Sequence, residues 1–276
     1  MIPARHTISE PDRPHPMLAD LTHIFGNLQA GTLVYLVLGA YFSAVFHSVA
    51  VFGGGLILSI ILAPVIGIKA VVPVIAVSLL VSHASRVWAF RRGFTWHVYR
   101  DLMTTAFPGI IVGAVVYSYL PTSAIAALMG VFLIGTVPLR RMMHRRNVGV
   151  GKRTIMGVGV PFGVLSGSTV GAGLILAPFM LAVGLAGEAL MGTMAAVALT
   201  VNLTKAAVFG GFSVLEPGLA MAGFLVGLCT VPGNLTGRWI VRRTAIRVHI
   251  VVVEAVIVAG GCYFLYAAGR GWGWWG

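Results

Sequence analysis

The chain has 276 residues, of which 58% are hydrophobic and only 9% charged, and its mean hydropathy is +0.95. A soluble fold with this composition would lack the polar residues needed to cover its surface, so the sequence is that of an integral membrane protein. The formal net charge of +12 needs no nucleic-acid partner, because most of the basic residues crowd the loops between apolar segments.

Ten apolar segments follow one another along the chain, and the lack of period-two alternation predicts helices rather than barrel strands. The first five segments are 32–50, 54–66, 70–90, 102–120 and 123–139. The second five are 154–168, 174–185, 189–211, 219–240 and 248–268. Segments two, six and seven are short for a hydrocarbon core of ~30 Å, so we expect broken or re-entrant helices there.

The segments and the charged stretches predict an all-α polytopic protein with two membrane repeats. The predicted parts are an N-terminal tail at 1–31, repeat one at 32–139, a basic cytoplasmic loop at 140–153, repeat two at 154–268 and a C-terminal tail at 269–276. The N-terminal tail has no apolar run typical of a signal peptide. Cys229 and Cys262 stand alone in apolar segments, so we expect no disulfide framework, metal site or cofactor.

The strongest internal signal is a glycine-rich phrase that occurs twice. FGGGLIL at 52–58 returns as VGAGLIL at 170–176, 118 residues later. Glycine inside an apolar helix weakens it by about 1 kcal/mol relative to alanine, so these glycines predict a helix break or a close backbone approach. Tight helix packing by small residues is the alternative. Recurrence in both copies favours the break.

Charge placement predicts the orientation of the two halves. The loops after segments three, five and nine carry 13 of the 19 Lys and Arg residues, which assigns them to the cytoplasm and both termini to the outer side. Five segments per half is an odd number, so the second half enters the membrane upside down. Two inverted repeats with interrupted helices are typical of secondary transporters.

Two cations remain inside apolar segments once the loops are assigned, and they suggest a binding site. Arg86 and Lys205 lie at nearly equivalent places in the two repeats. A buried cation costs at least ~2.5–3.5 kcal/mol unless it is paired or hydrated. Since Glu254 is the one carboxylate expected within a membrane segment, we expect the missing counter-charge to be an anionic ligand. In the alternative, Arg86 extends to the cytoplasmic surface and Lys205 pairs with Glu254.

Polar and glycine residues near the two cations complete the predicted anion site. Hydroxyls and amides suit oxyanion oxygens, and helix N-termini at the glycine breaks would add backbone N–H donors. Besides Arg86 and Lys205, the candidate substrate-binding residues are Ser82, His83, Asn202, Gly53, Gly54, Gly55, Gly171 and Gly173. The candidates for carrying a coupling proton are His47, His83 and Glu254, for each of which packing is the alternative role.

The duplicated phrases, read together, resemble the TauE/SafE family of sulfite exporters, which are bacterial membrane permeases. The resemblance rests on GGGLILSIILAP at 53–64 and GAGLILAP at 171–178, on Gly-Phe pairs at Gly93 and Gly211, and on PGxxxG helices at 108 and 232. It spans roughly residues 32–268. Ala172 departs from the glycine triplet of the first copy. The resemblance implies movement of sulfite, or of a related sulfur-containing or organic anion, across the inner membrane, usually outward.

The leading hypothesis is therefore a secondary transporter that works by alternating access of two inverted repeats. The alternatives are a passive anion channel and, from a different class, a membrane-embedded enzyme or assembly subunit. Neither an HExxH nor a GxSxG motif occurs in the chain, so we expect no catalytic residues. The expected partners are a small anion and the lipid bilayer, and the sequence leaves the oligomeric state open.

Overall fold

The computed structural model describes residues 30–50, 54–145, 151–241 and 246–274, and within these ranges it consists of ten α-helices and no strand. The first half contains α1 (Ala30–Ala50), α2 (Gly54–Ile66), α3 (Ile68–Ala89), α4 (Trp96–Tyr119) and α5 (Thr122–Arg145). The second half contains α6 (Lys152–Ser168), α7 (Gly173–Ala182), α8 (Gly187–Gly211), α9 (Pro217–Val241) and α10 (Ile246–Gly271). The prediction of ten helical segments is confirmed. Most of the predicted N-terminal tail lies outside the described residues.

Helix length separates membrane-crossing helices from short ones. Among the described residues, α3, α4 and α8 are long and apolar enough to cross a bilayer by themselves. By contrast α7 has ten residues, about 15 Å of helix, which is half the thickness of the hydrocarbon core. The predicted shortness of this segment is thus confirmed.

The second glycine phrase breaks a helix, as the sequence predicts. Helix α6 ends at Ser168 and α7 begins at Gly173, with the four residues between them outside any helix. Gly171 has φ +89°, in the left-handed region that glycine adopts most readily. In the first copy α1 ends at Ala50 and α2 begins at Gly54, while residues 51–53 lie outside the described part.

The two glycine phrases pack against each other. A Cβ added to Gly55 would meet the side chain of Val170 at 2.6 Å, and one added to Gly171 would meet the side chain of Leu56 at the same distance. Each phrase therefore uses a glycine to admit an apolar side chain of the other phrase. The duplicated motif therefore makes a direct contact between the two halves.

The helix packing repeats when the two halves are exchanged. The most extensive contacts pair α4 with α6 and α1 with α9, and these two pairs are equivalent under the duplication. The pairs α3–α9 and α4–α8 are equivalent in the same way, while α3–α8 and α5–α10 each join a helix to its own counterpart. All six pairs join one half to the other, so the halves are interleaved.

Glycine contacts give the relative directions of the packed helices. Gly159, Gly163 and Gly167 of α6 face the carbonyls of Leu102, Ala106 and Ile110 of α4 in that order, so α4 and α6 are parallel. Gly130 faces Gly261, and Gly271 faces Ser123, so α5 and its counterpart α10 are antiparallel. Likewise Gly93 contacts Glu188 while Gly192 contacts Phe90, which makes α3 and α8 antiparallel near these ends.

Candidate functional site

A cavity of about 90 Å³ lies where the two halves meet. Its walls come from α3, α6, α7 and α8, from Gly55 of α2, and from the break between α6 and α7. Since a water needs roughly 15 Å³ by this kind of measure, the cavity has room for several waters or one small ion. Its polar side chains are His83, Arg86, Ser166, Asn202 and Lys205, together with the hydroxyl-bearing Thr169.

Lys205 is the most deeply buried cation among the described residues. Its side chain is on α8, the residue is 2% exposed, and Nζ donates a hydrogen bond of 2.7 Å to the backbone carbonyl of Thr169. Thr169 is the first residue after α6, so its carbonyl lies at the helix break. A carbonyl is a dipole and leaves the positive charge of the ammonium uncancelled. No Asp or Glu occurs among the described residues that line the cavity.

Arg86 lines the same cavity from α3 and reaches it at a different depth. Its Nη2 donates to the sulfur of Met191 at 3.5 Å, and its side chain is only partly buried. Met191 precedes Lys205 by fourteen residues on α8, which is about 21 Å along the helix axis. The two cations therefore reach the cavity at different heights along α8, and they do not surround a single point.

Equivalent faces of α3 and α8 supply the two cations. On α3 the lining residues Leu79, His83 and Arg86 have the spacing i, i+4, i+7, which places them on one face of the helix. On α8 the residues Ala198, Asn202 and Lys205 line the cavity with the same spacing. An offset of 119 residues carries one set onto the other. The cavity thus receives equivalent residues from the same helix of each half.

The glycine phrases contribute backbone to the site. Gly55, Gly171 and Gly173 all line the cavity, and Gly173 is the first residue of α7. The first N–H groups of a helix have no partner inside the helix and carry the positive end of its dipole. The start of α7 therefore presents donors and partial positive charge to the cavity.

Of the predicted site residues that the structure describes, Ser82 differs from the others. It is buried on α3 but is not among the residues that line the cavity. Its neighbour Ser78 donates to the carbonyls of Val74 and Gly223, at 3.0 and 2.8 Å, so it serves the packing of α3 on α9. Ser82 is thus buried outside the cavity lining, unlike His83 and Arg86 on the same helix.

Four predicted residues lie wholly or partly outside the described part of the structure. Gly53 is not described at all, and Gly54 is described only as the first residue of α2. His47 is in α1 and Glu254 is in α10, but the surroundings of their side chains are not described. Whether Lys205 pairs with Glu254 therefore stays open.

Two lining groups are absent from the sequence prediction. Ser166 is one of the residues that line the cavity, and the carbonyl of Thr169 accepts the hydrogen bond from Lys205. One signal pointed to the serine: the 118-residue offset of the glycine phrases also carries Ser48 onto Ser166. No sequence signal pointed to the carbonyl, because any residue supplies one.

Comparison with known proteins identifies the family. Residues 31–264 match the sequence profile described as Sulfite exporter TauE/SafE, which covers most of the 276-residue chain. No curated protein and no solved structure gives a match. The family match agrees with the resemblance that the duplicated glycine phrases indicate, and members of this family are membrane transporters rather than enzymes. The chain therefore belongs to the TauE/SafE family of sulfite exporters.

Proposed function

We propose that this protein is a secondary transporter that moves a small anion, sulfite or a related sulfur-containing or organic anion, outward across the bacterial inner membrane. The observation that carries the proposal is the buried Lys205 in the wall of the cavity between the halves, where its ammonium donates to a backbone carbonyl and the described lining holds no carboxylate. Arg86 lines the same cavity. An anion supplies the charge that this lining lacks. Besides the anion, the partner of this protein is the lipid bilayer in which it is embedded.

Electrostatics favours an anion at Lys205. Burying an unpaired cation in a membrane segment costs at least ~2.5–3.5 kcal/mol on insertion scales. The described environment offsets this with one backbone carbonyl, at 2.7 Å, while the remaining N–H groups of the ammonium are left for a ligand. Asn202 and the start of α7 add polar groups along the same wall. Donors and positive charge dominate the polar part of the site.

The helix directions support inverted repeats. Counterpart helices α5 and α10 are antiparallel neighbours, as are α3 and α8, whereas two repeats of the same orientation would make counterparts run in the same direction. Lys152 at the start of α6 lies 3.6 Å from Asp101 near the start of α4, which brings two of the predicted cytoplasmic loops together. We infer that both termini lie on the outer side.

The position of the cavity supports a mechanism of alternating access. It lies at the contact between the halves, where the break after α6 and the start of α7 form part of its wall. Movement of one half against the other would open the site first to one side and then to the other. Gly171, whose backbone is in the left-handed region, is the position at which we expect the chain to bend during this movement. His83, His47 and Glu254 are our candidates for carrying a coupling proton, and His83 lines the cavity.

Flux into proteoliposomes tests the proposal. Purified protein should catalyse accumulation of radiolabelled sulfite in oxygen-free buffer, and an imposed proton gradient should change the rate. Current proportional to voltage, with no response to the proton gradient, would instead identify a passive channel. Absence of sulfite flux would reject sulfite, and competition by carboxylates and organosulfonates would then identify the anion class.

A further inference from the structure

Three hydroxyl residues stand together at the end of α6, and two of them have ordinary structural roles. Ser168 donates to the carbonyl of Val164 at 2.9 Å, and Thr169 donates to the carbonyl of Leu165 at 2.6 Å. This bond to the preceding turn is the usual way in which a membrane helix satisfies a buried hydroxyl.

Ser166 differs from both neighbours. It is 4% exposed, its hydroxyl has no hydrogen-bond partner in the described structure, and it lines the cavity. Buried hydroxyls in proteins are nearly always hydrogen-bonded, and an unsatisfied one is destabilising. Other buried hydroxyls, such as those of Ser59, Thr136 and Thr230, donate to a carbonyl of their own helix.

The position of Ser166 relates it to the cation. Ser166 precedes Thr169 by three residues, which places it one turn before the carbonyl that accepts the hydrogen bond from Lys205. Ser166 and Lys205 therefore bring a hydroxyl donor and an ammonium donor to the same end of the cavity. Apolar side chains such as Phe162 and Leu176 form the wall around them.

We propose that Ser166 is a substrate-binding residue that donates a hydrogen bond to an oxygen of the anion whose charge Lys205 neutralises. This inference rests on the proposed function and deepens it. An oxyanion distributes its charge over several oxygens, so it accepts from the hydroxyl and the ammonium on different atoms. The serine thereby positions an oxyanion rather than contributing to the packing of α6.

Sulfite binding to the purified full-length protein, measured by calorimetry in oxygen-free buffer, tests the proposal. Ser166→Ala should weaken binding by about tenfold, as expected for loss of a hydrogen bond to a charged group. Ser166→Thr, which keeps the hydroxyl, should restore most of the affinity. Ser168→Ala is the matched control, because Ser168 is equally buried on the same helix but does not line the cavity, and its affinity should equal that of the wild type.

The outcomes separate this proposal from the transport function. Equal affinities for Ser166→Ala and Ser168→Ala, with binding still lost in Lys205→Met, would overturn the role of Ser166 and leave the anion site intact. If the wild-type protein binds no sulfite, the sulfite assignment and the role of Ser166 towards it both fail.

A second measurement does not depend on sulfite. In a background without Cys229 and Cys262, Ser166→Cys should react with iodoacetate faster, relative to neutral iodoacetamide, than Ser168→Cys does. Lys205→Met should remove this preference for the anionic reagent. If Ser166→Cys reacts with neither reagent, the side chain does not face an accessible anion site and the proposal is rejected.

Discussion

At the scale of single residues, the proposed anion site depends on Lys205. The residue is 2% exposed, and its ammonium donates a hydrogen bond to a carbonyl that cannot neutralise it. The charge is therefore available to a ligand. In the low dielectric of the interior, an opposite charge beside it gains far more than it would in water.

Replacing Lys205 tests this point. Lys205→Met keeps the length and apolar stem of the side chain but removes the charge, so sulfite binding should weaken at least about a hundredfold. Insertion and thermal stability should be kept, because a neutral side chain suits the site. Lys69→Met, at an exposed lysine on α3, is the control and should bind sulfite normally. Unchanged affinity in Lys205→Met would remove the basis of the proposed site.

Arg86 should behave differently, because it is partly exposed and lies at another level of the cavity. Its charge attracts anions towards the site over a distance and so raises the concentration of substrate near the cavity. This attraction weakens as ionic strength rises. Arg86→Gln should therefore raise the half-saturating sulfite concentration by about tenfold at low salt, with a smaller change in maximal flux. Initial rates in proteoliposomes at low and high potassium gluconate measure this. An effect independent of ionic strength would indicate direct binding instead.

The sequence predicts the charged part of the site better than its hydrogen bonds. Arg86 and Lys205 are recognisable because a cation in an apolar segment is rare, whatever its neighbours. Ser166 is marked only by its correspondence to Ser48, which is a weak signal because serine in a membrane helix commonly bonds to its own backbone, as Ser168 does. Which of two serines turns to the cavity depends on how α6 rotates against α4, and that rotation is set by tertiary packing.

At the scale of helices, the α4–α6 contact depends on glycines that let two backbones touch. A Cβ at Gly163 would overlap the carbonyl of Ala106, and a backbone group cannot move aside as a flexible side chain can. Small residues have this role in membrane helix packing generally. The glycines that weaken each helix alone thus stabilise the pair.

Two alanine substitutions on α6 separate these effects. Gly163→Ala should destabilise the protein by about 1–3 kcal/mol through overpacking against α4. Gly157→Ala, on the same helix with nothing within 4 Å, should be neutral or slightly stabilising because alanine favours the helix. Thermal unfolding in detergent, followed by circular dichroism, compares the two. Equal melting temperatures would mean that α4 and α6 do not pack as closely as described.

Helix order was predictable from the sequence, while helix ends were not. The ten helices occur in the predicted order, but α4 begins at Trp96 rather than at 102, and α5 continues to Arg145 rather than ending at 139. The added first turns of α4 carry His97, Arg100 and Asp101, and the added last turns of α5 carry basic residues. A hydropathy pattern excludes such residues from a membrane segment. Helices continue through such residues because backbone hydrogen bonding does not stop where the apolar stretch stops.

At the scale of the whole molecule, the duplication produces interleaved halves rather than two separate bundles. Helix α4 of the first half packs on α6 of the second, and α9 of the second packs on α1 of the first. The sequence repeat predicts equivalent helices but not this exchange, because the offset contains no information on which half a helix contacts. The two glycine phrases contact each other between these halves, and both contribute residues to the cavity wall.

The proposed inversion of the two repeats gives a prediction about the sides on which two loops lie. The loop after α3 and the loop after α8 occupy equivalent places in the two halves, so inversion puts them on opposite sides of the membrane. In a cysteine-free background, Arg92→Cys should react with a membrane-impermeant maleimide only after the cells are permeabilised, whereas Ser213→Cys should react in intact cells. Gly151→Cys, in the predicted cytoplasmic loop, and Pro121→Cys, in a turn that the proposed orientation places outside, are the controls, and all four positions are exposed. Labelling of Arg92→Cys and Ser213→Cys from the same side would exclude inverted repeats and, with them, the proposed alternating access.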